Sequence, residues 1–189
     1  SKNGSQPMIS SSSRYVISYN GEIYNHLELR GSIEKKILFS GSSDTETLLS
    51  CMEEWGLRKT LNKLEGMFSF ALWDKREKTL HLCRDRYGEK PLYYYLCEGA
   101  LYFASELKAI HKLHENKLRI NHSSAVFFLQ TGWLPDHNSI YEEMNKVQAG
   151  TILSFQKGSS KPLIDQYWSI QETIEVSTKF PFKGSMLEA

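Results

Sequence analysis

Residues 67–73 read Met-Phe-Ser-Phe-Ala-Leu-Trp, a short and nearly continuous apolar run. A run of this length predicts a strand that is covered on both faces. The polar segment Asp74–Lys78 connects it to Leu80–Cys83, where apolar and polar residues alternate. These two segments therefore predict a pair of adjacent antiparallel strands.

Further strand patterns lie on either side of this pair. Leu92–Leu96 and Leu101–Ala104 flank a short turn and predict a second hairpin with large apolar groups on both faces. Such strands need helices on one side and helices or a second sheet on the other. Arg14–Tyr19 predicts a strand that ends in a tight turn at Asn20-Gly21, because Asn-Gly tolerates positive φ. Thr151–Gln156 predicts the last strand.

Several segments have the spacing of amphipathic helices. The clearest begins at Ser43-Asp44-Thr45-Glu46, which matches a capping box, and ends at Gly56. In a capping box the side chains of Ser43 and Glu46 would satisfy each other's backbone amides. The remaining helices are predicted over Glu22–Arg30, Leu57–Leu64, Ser105–His114 and Asn121–Gln130. The fold class is therefore α+β with an antiparallel core.

The composition indicates a soluble protein of ordinary type. In its 189 residues, 23 Lys and Arg stand against 22 Asp and Glu, so the net charge of +1 gives no basic footprint for nucleic acid or a membrane surface. No apolar run is long enough to cross a membrane. Cys51, Cys83 and Cys97 have neither disulfide-framework nor zinc spacing, and the scattered histidines form no convincing metal set. We expect free thiols, no metal site and a cytoplasmic location.

Two positions could carry chemistry, and each also has a purely structural explanation. Asn20, Gly21 and Glu22 could form an oxyanion hole, in which a side-chain amide and a backbone N–H stabilise a negative oxygen. They could equally be a plain turn after a strand. Asp44 could pair with a substrate ammonium or could only cap a helix. Considered singly, both positions favour the structural explanation.

The charged segment Arg84–Pro91 is a third candidate. Its charges around Gly and Pro could bind an anion, but a solvated loop closed by Arg–Asp pairs explains the same residues. The phosphate-binding pattern Gly-x-x-x-x-Gly-Lys-Ser/Thr is absent from the chain, which argues against nucleotide binding.

Considered together and in order, these motifs resemble a known family, the glutaminase domain of the glutamine-hydrolysing asparagine synthetases. The resemblance extends from about Gln6 to Trp168. The strings that carry it are Tyr-Asn-Gly-Glu-Ile-Tyr-Asn at 19–25, Ser-Asp-Thr-Glu at 43–46, Leu-Glu-Gly-Met-Phe-Ser-Phe-Ala-Leu-Trp-Asp at 64–74, Arg-Asp-Arg-Tyr-Gly-Glu-Lys-Pro-Leu-Tyr-Tyr at 84–94 and Phe-Ala-Ser-Glu-Leu-Lys at 103–108, with Gly132–Leu153 and Tyr167-Trp168 towards the end.

The resemblance implies a fold and a division of the chain. The family is built on the N-terminal nucleophile hydrolase fold, an αββα sandwich of two antiparallel sheets between helical layers. Residues 1–156 would be a partial type 2 glutamine amidotransferase domain, incomplete at the N-terminus. Residues 157–189 would be a linker and the lead-in, at Phe180–Ala189, to an absent synthetase domain.

The resemblance also implies a chemistry. In the family an N-terminal Cys attacks the side-chain amide of glutamine, its own α-amino group serves as base, and a thioester forms as ammonia leaves. Asn20 and Gly21 match the oxyanion-hole pair, Glu22 lies in the glutamine pocket, and Asp44 matches the acid that holds the α-ammonium of glutamine. The ammonia then reaches a synthetase domain in which ATP, with Mg²⁺, activates aspartate as an acyl-adenylate. The family also allows a homodimer.

Some expected residues are missing from the sequence. Neither the nucleophilic Cys nor the Arg-Gly-Pro-Asp segment, whose Arg holds the α-carboxylate of glutamine, is present. The three cysteines lie within predicted elements and cannot supply a free α-amine, and Ser1 aligns well downstream of the family's start. We therefore expect an internal fragment of a longer amidotransferase that has no cofactor of its own and is inactive alone.

Two alternatives stay open. An amidotransferase of the same family could act on a sugar or another carboxylate, because the absent domain chooses the acceptor. A non-catalytic glutamine-binding or interaction module could keep the fold without the nucleophile. The phosphoribosyl-transferring and sugar-isomerising amidotransferases fit less well, because the string at 20–25 and the Tyr-rich stretch after Pro91 are synthetase-like.

Overall fold

The computed structural model describes residues 5–34, 39–114, 118–136, 138–159 and 161–179. All strand pairs among them are antiparallel, so the α+β prediction is confirmed. The elements in chain order are β1 (Met8–Ile9), β2 (Tyr15–Ile23), α1 (His26–Ser32), α2 (Asp44–Trp55), α3 (Leu57–Lys63), β3 (Gly66–Asp74), β4 (Thr79–Arg84), β5 (Tyr93–Cys97), β6 (Ala100–Ala104), α4 (Leu107–His111), α5 (His122–Thr131), β7 (Asn145–Lys146), β8 (Thr151–Gln156), β9 (Leu163–Gln166) and α6 (Ile170–Lys179).

The strands form two sheets. The larger has the order β1-β2-β3-β4-β8-β9, and the smaller has the order β6-β5-β7. The apolar run at 67–73 lies in β3, inside the larger sheet, and pairs along its whole length with β2, from Tyr15 opposite Asp74 to Ile23 opposite Gly66. Both faces of β3 are buried, as its sequence predicts.

The faces of the larger sheet pack against different layers. Phe68, Phe70 and Leu72 of β3 join a core with Leu48 and Met52 of α2. Residues of the opposite face pack against the smaller sheet in a second core that contains Ala71, Leu82, Leu92, Val147, Leu153 and Phe155. Full burial of each Val, Leu, Phe or Met side chain in these cores contributes about 1.5–3 kcal/mol. These two cores hold the helical layer and the two sheets together.

The smaller sheet is covered on its far side by α4. Tyr94 of β5 faces the larger sheet and meets Phe155 edge-on, with ring centroids 5.6 Å apart. Its neighbour Tyr95 points the other way into a third core with Ile110 and Met144. This alternation explains why the strand is apolar on both faces. The layers are therefore helix, sheet, sheet and helix, as in the αββα sandwich.

The predicted turn at Asn20-Gly21 is wrong. Strand β2 continues through both residues to Ile23, and α1 begins only at His26. The strand continues because β3 supplies a pairing partner for its full length. Gly21 is required there by crowding, since a Cβ would lie 2.6 Å from the Cα of Phe68 and would also meet the carbonyl oxygen of Met67.

The predicted capping box does not form, although α2 begins where expected. The hydroxyl of Ser43 accepts the N–H of Thr45 at 3.2 Å. The carboxylate of Glu46 accepts the N–H groups of Ser40 and Gly41 instead of that of Ser43. Glu46 therefore holds the loop before the helix, and Ser43 caps the helix without a reciprocal bond from Glu46.

The linker interpretation is wrong for residues 163–168. Strand β9 pairs with β8 and ends the larger sheet. Tyr167 is buried, and its hydroxyl donates to the carbonyl oxygen of Arg84 at 2.8 Å. The sequence pattern does not indicate this strand, because β9 buries none of its side chains. The division into domains stays a prediction, and the lead-in at residues 180–189 lies outside the described residues.

None of the helices in the described ranges is long and apolar enough to cross a membrane.

Candidate functional site

Beyond its short pairing with β1, the outer edge of β2, which faces away from β3, presents backbone donors. Tyr24 N–H donates to Glu65 O at 2.7 Å, and Lys75 N–H donates to Arg14 O at 3.0 Å, so the even-numbered residues of β2 form the hydrogen-bonded pairs with β3. The N–H groups of the odd-numbered residues therefore point away from β3. Gly21 is one of these residues, and its N–H is directed to the outer edge.

Side-chain oxygens accept hydrogen bonds from the outward-facing N–H groups on either side of Gly21. The Oε1 atom of Gln6 accepts the N–H of Tyr19 at 2.6 Å. The Oδ2 atom of Asp44 accepts the N–H of Ile23 at 3.1 Å. The backbone N–H of Gly21 therefore lies between two donors that are held by side chains.

Asp44 joins this edge to the start of α2. Besides the N–H of Ile23, its Oδ2 accepts the hydroxyl of Tyr19 at 2.8 Å, while its Oδ1 accepts the N–H of Thr45 at 2.8 Å. Burial and the neighbouring carboxylate raise the pKa of Tyr19, so its hydroxyl remains protonated and donates. The negative charge of Asp44 lies at the N-terminus of a twelve-residue helix, which stabilises it.

Asn20 and Glu22 place their side chains on the face of β2 that is turned to the smaller sheet, because side chains alternate along a strand. Both residues are exposed. The Nδ2 atom of Asn20 donates to the hydroxyl of Ser105 at 3.1 Å. A cavity of about 130 Å³ lies beside this contact, between the two sheets, and is lined in part by Asn20, Ser69, Leu92 and Ser105.

The four sequence-predicted residues therefore lie at one end of β2. Asn20, Gly21 and Glu22 are consecutive, and Asp44 reaches the strand through Ile23 N–H. Sequence reasoning missed Gln6 and Ser105, which hold the flanking donor and the Asn20 amide. Ser105 lies within the string at 103–108 that carries the family resemblance, whereas nothing in the sequence marks Gln6.

The charged segment Arg84–Pro91 is used internally. The buried carboxylate of Asp85 accepts four backbone N–H groups, those of Phe68, Tyr87, Glu89 and Lys90, at 3.0–3.2 Å. Arg84 is also buried; it donates to the carbonyl oxygens of Lys90 and Val147 and pairs with Asp136. The two side chains hold the loop in shape by hydrogen bonding to backbone groups. The expectation of a solvated loop closed by Arg–Asp pairs is therefore wrong for Arg84 and Asp85.

Two of the three thiols are placed where they cannot react. Cys51 of α2 and Cys83 of β4 are fully buried. Burial raises the pKa of Cys51 to about 12 and that of Cys83 well above its ordinary value, so both remain protonated. Within the described residues, no group of three or more His, Cys, Asp or Glu side chains could hold a metal ion.

Comparison with known proteins identifies the family. The family model of the glutamine amidotransferase domain matches residues 1–168. The chain belongs to this family. The amidotransferase domain is 35% identical over 151 residues to asparagine synthetase [glutamine-hydrolyzing] 1 of Bacillus subtilis, and the match covers 79% of this chain and 24% of that protein. It is 41% identical over 108 residues to asparagine synthetase B of Escherichia coli, covering 57% of this chain and 19% of that protein.

The solved structures agree on the fold. The glutamine phosphoribosylpyrophosphate amidotransferase of B. subtilis superposes with a TM-score of 0.60 at 21% identity, covering 86% of this chain and 32% of that one. The predicted N-terminal nucleophile hydrolase fold is thereby confirmed for the amidotransferase domain. The domain spans about a quarter of the length of the B. subtilis synthetase that it matches.

Proposed function

We propose that this domain is the glutaminase half of an asparagine synthetase, which binds glutamine and releases ammonia from its side-chain amide. The observation that carries the proposal is the end of β2, where the carboxamide of Asn20, the N–H of Gly21 and the carboxylate of Asp44 share one short stretch of strand. The similarity to glutamine-hydrolysing synthetases over most of the chain supports it.

In the proposed reaction, Asn20 and Gly21 act on the amide carbonyl. A cysteine thiolate, which the family supplies from its amino terminus, adds to the amide carbon and pushes the carbonyl electron pair onto oxygen. An amide hydrogen of Asn20 and the N–H of Gly21 stabilise that oxyanion. The C–N bond then breaks, the leaving amine takes a proton from the cysteine's α-ammonium group, and water hydrolyses the thioester to glutamate.

Glu22 and Asp44 would bind the amino-acid end of glutamine. Hydrogen bonds from Tyr19, Ile23 and Thr45 already occupy most of the acceptor positions of Asp44. Its attraction for the α-ammonium group is therefore chiefly that of a fixed negative charge, and those bonds hold the charge in place. Glu22 is exposed on the adjacent face of β2 and adds a second carboxylate.

The remaining partners are proposed by analogy with the synthetases. Ammonia would pass to a synthetase domain, where ATP and Mg²⁺ activate aspartate. A homodimer and a cytoplasmic location are proposed on the same ground.

The proposal is tested by measuring ammonia release from glutamine. We expect no turnover by the 189-residue chain and turnover by a chimera that adds the Cys-bearing amino-terminal segment of the B. subtilis synthetase. In the chimera, Asn20→Ala should lower kcat by about 10²–10³-fold, as the loss of one oxyanion donor does. Asn62→Ala, which changes an exposed Asn of α3, is the matched control.

Two results would contradict the proposal. Turnover by the chimera that is the same with and without Asn20→Ala would remove Asn20 from the oxyanion hole. Binding of glutamine with no turnover by the chimera would favour a glutamine-binding module. Which carboxylate accepts the ammonia is decided by a separate assay with ATP and candidate acceptors.

A further inference from the structure

We propose that Ser105 is the positioning residue of the oxyanion hole: its hydroxyl fixes the carboxamide of Asn20 so that one amide hydrogen remains directed at the substrate oxygen. This inference rests on the proposed glutaminase function. It adds a residue that directly follows β6 of the smaller sheet to a site whose donors lie on β2 of the larger sheet.

The contact joins distant parts of the chain. Ser105 follows β6 of the smaller sheet and precedes α4, whereas Asn20 lies within β2 of the larger sheet. The Nδ2 atom of Asn20 and the Oγ atom of Ser105 are 3.1 Å apart, a normal hydrogen-bond length. Because 85 residues separate the two in sequence, only the packing of one sheet on the other creates this contact.

Asn20 needs such a partner for its proposed role. Its side chain is exposed, and a free carboxamide would occupy several rotamers. An oxyanion donor is effective only when it already points to where the charge develops. The NH₂ group carries two hydrogens, so Ser105 can take one and leave the other for the substrate.

The nearest hydroxyl on β3 does not compete for this task. Ser69 lies directly opposite Asn20 on the same face of the sheet. Its hydroxyl donates to the carbonyl oxygen of Pro91 at 3.1 Å. The hydroxyl of Ser69 therefore binds the loop that leads into β5. Ser69→Ala is a matched control, because it also removes a hydrogen bond between the two halves of the sandwich.

The first experiment observes the side-chain NH₂ signal of Asn20 by ¹⁵N–¹H NMR in the 189-residue chain, assigned by its loss in Asn20→Asp. In Ser105→Ala we expect this signal to shift towards that of a free asparagine and its hydrogens to exchange with water several-fold faster. Ser105→Thr keeps the hydroxyl and should restore the signal. Ser69→Ala should lower stability but leave the Asn20 signal in place.

The second experiment measures the effect on the reaction in the Cys-bearing chimera. We expect Ser105→Ala to lower kcat about tenfold with KM within about twofold of its original value, because positioning of a transition-state donor acts on kcat. Ser105→Thr should recover most of the loss. An unchanged kcat in Ser105→Ala would overturn the proposal even if the chimera is an active glutaminase.

The two experiments separate this inference from the proposed function. If the chimera does not hydrolyse glutamine, the glutaminase proposal fails and with it the catalytic role of Ser105, whereas the NMR result still decides whether Ser105 fixes the Asn20 amide. An Asn20 signal that is identical in Ser105→Ala and the original chain would overturn the positioning claim. If Ser105→Ala does not fold, the original chain is tested for nuclear Overhauser contacts between the Asn20 NH₂ and Ser105 Hβ. Their presence would support the positioning role of Ser105, and their absence would overturn it.

Discussion

Gly21 illustrates how a residue can be identified for the wrong structural reason. The dipeptide Asn20-Gly21 suggested a turn, and therefore a need for positive φ. In the structure Gly21 is an ordinary strand residue, and the requirement for glycine comes from the neighbouring strand, which leaves no space for a Cβ. The direction of the Gly21 N–H has a separate cause, which is the register of β2 with β3.

We predict that Gly21→Ala destabilises the protein. The new methyl group would meet the backbone of Met67 and Phe68, and overpacking of this kind costs about 1–3 kcal/mol or more. Gly31→Ala in α1 is the control, because nothing lies within 4 Å of its Cβ position and alanine favours a helix by about 1 kcal/mol. Urea unfolding of both variants measures the difference. Equal stability of the two variants would contradict the crowding argument.

The contacts of Asp74 predict how the stability of the protein changes at acid pH. Burial alone would raise the pKa of Asp74, but hydrogen bonds from Arg14 and from the amides of Glu77 and Arg76 lower it below its usual value. A lowered folded-state pKa stabilises the protein above the unfolded pKa of about 3.9, and this contribution is lost as the pH falls through the folded value.

Asp74→Asn should therefore cost about 1–3 kcal/mol at pH 6, and the cost should shrink steadily as the pH falls below about 4. Denaturant unfolding at several pH values measures it. Glu172→Gln on the exposed helix α6 is the control and should show no such change. A cost for Asp74→Asn that is the same at pH 6 and pH 2.5 would show that the charge is not responsible.

At the scale of elements, apolar pattern predicted the strands that bury side chains and missed those that do not. The run at 67–73 and the hairpin at 92–104 were found because apolar residues on both faces of their strands pack into cores. Strands β1 and β7 have two residues each, too few to show a period of two. Strand β9 has four exposed residues and is held by pairing with β8 and by an ion pair between Arg58 and Asp165, so its sequence resembles a linker.

We predict that the chain cannot be shortened to the end of β8 without loss. Truncation after Gln156 removes β9 and the buried Tyr167, whose hydroxyl donates to Arg84 O. The loss of one buried aromatic side chain alone costs about 1.5–3 kcal/mol. Truncation after Ser169 removes α6, which buries no residue, and should leave the melting temperature nearly unchanged. Equal melting temperatures for the two truncations would restore the boundary at residue 156.

The loop at 84–91 supports a further prediction at this scale. Asp85→Asn replaces a carboxylate that accepts four backbone N–H groups with an amide that has one acceptor oxygen and two donors. Each buried N–H left without a partner costs about 1–3 kcal/mol, so the variant should lose several kcal/mol or fail to fold. Glu89→Gln in the same loop is the control. Thermal melts of both variants test this.

At the scale of the whole molecule, the order of motifs predicted the fold and the four candidate residues, although no single motif was sufficient. The contacts that complete the site were beyond prediction for a physical reason. Gln6 with Tyr19 and Asn20 with Ser105 meet through sheet pairing and sheet packing, neither of which leaves a local pattern. Local sequence predicts the donors of the candidate site, whereas the global fold determines what holds them.

The surface charge and exposed apolar groups lead to a prediction about self-association. The sequence pI is about 7.7, so net charge provides little repulsion between molecules near that pH. Leu129 and Trp133 near the end of α5 are 83% and 57% exposed. Static light scattering should show the strongest attraction near pH 7.7 and weaker attraction at pH 6, where the chain carries a net positive charge. Leu129→Lys should reduce it, and scattering that is insensitive to both changes would contradict this account.

The alternating donors on the edge of β2 also bear on what can approach it. An unprotected strand edge recruits strands from other molecules because it offers a regular row of donors and acceptors. Here Gln6 and Asp44 occupy the donors of Tyr19 and Ile23, two residues to either side of Gly21. The interval between those two donors is about 13 Å at ordinary strand rise. This interval is long enough for an amino acid to bind. It is too short to offer the continuous row of free donors and acceptors that an invading strand would need, so Gln6 and Asp44 also protect the edge from aggregation.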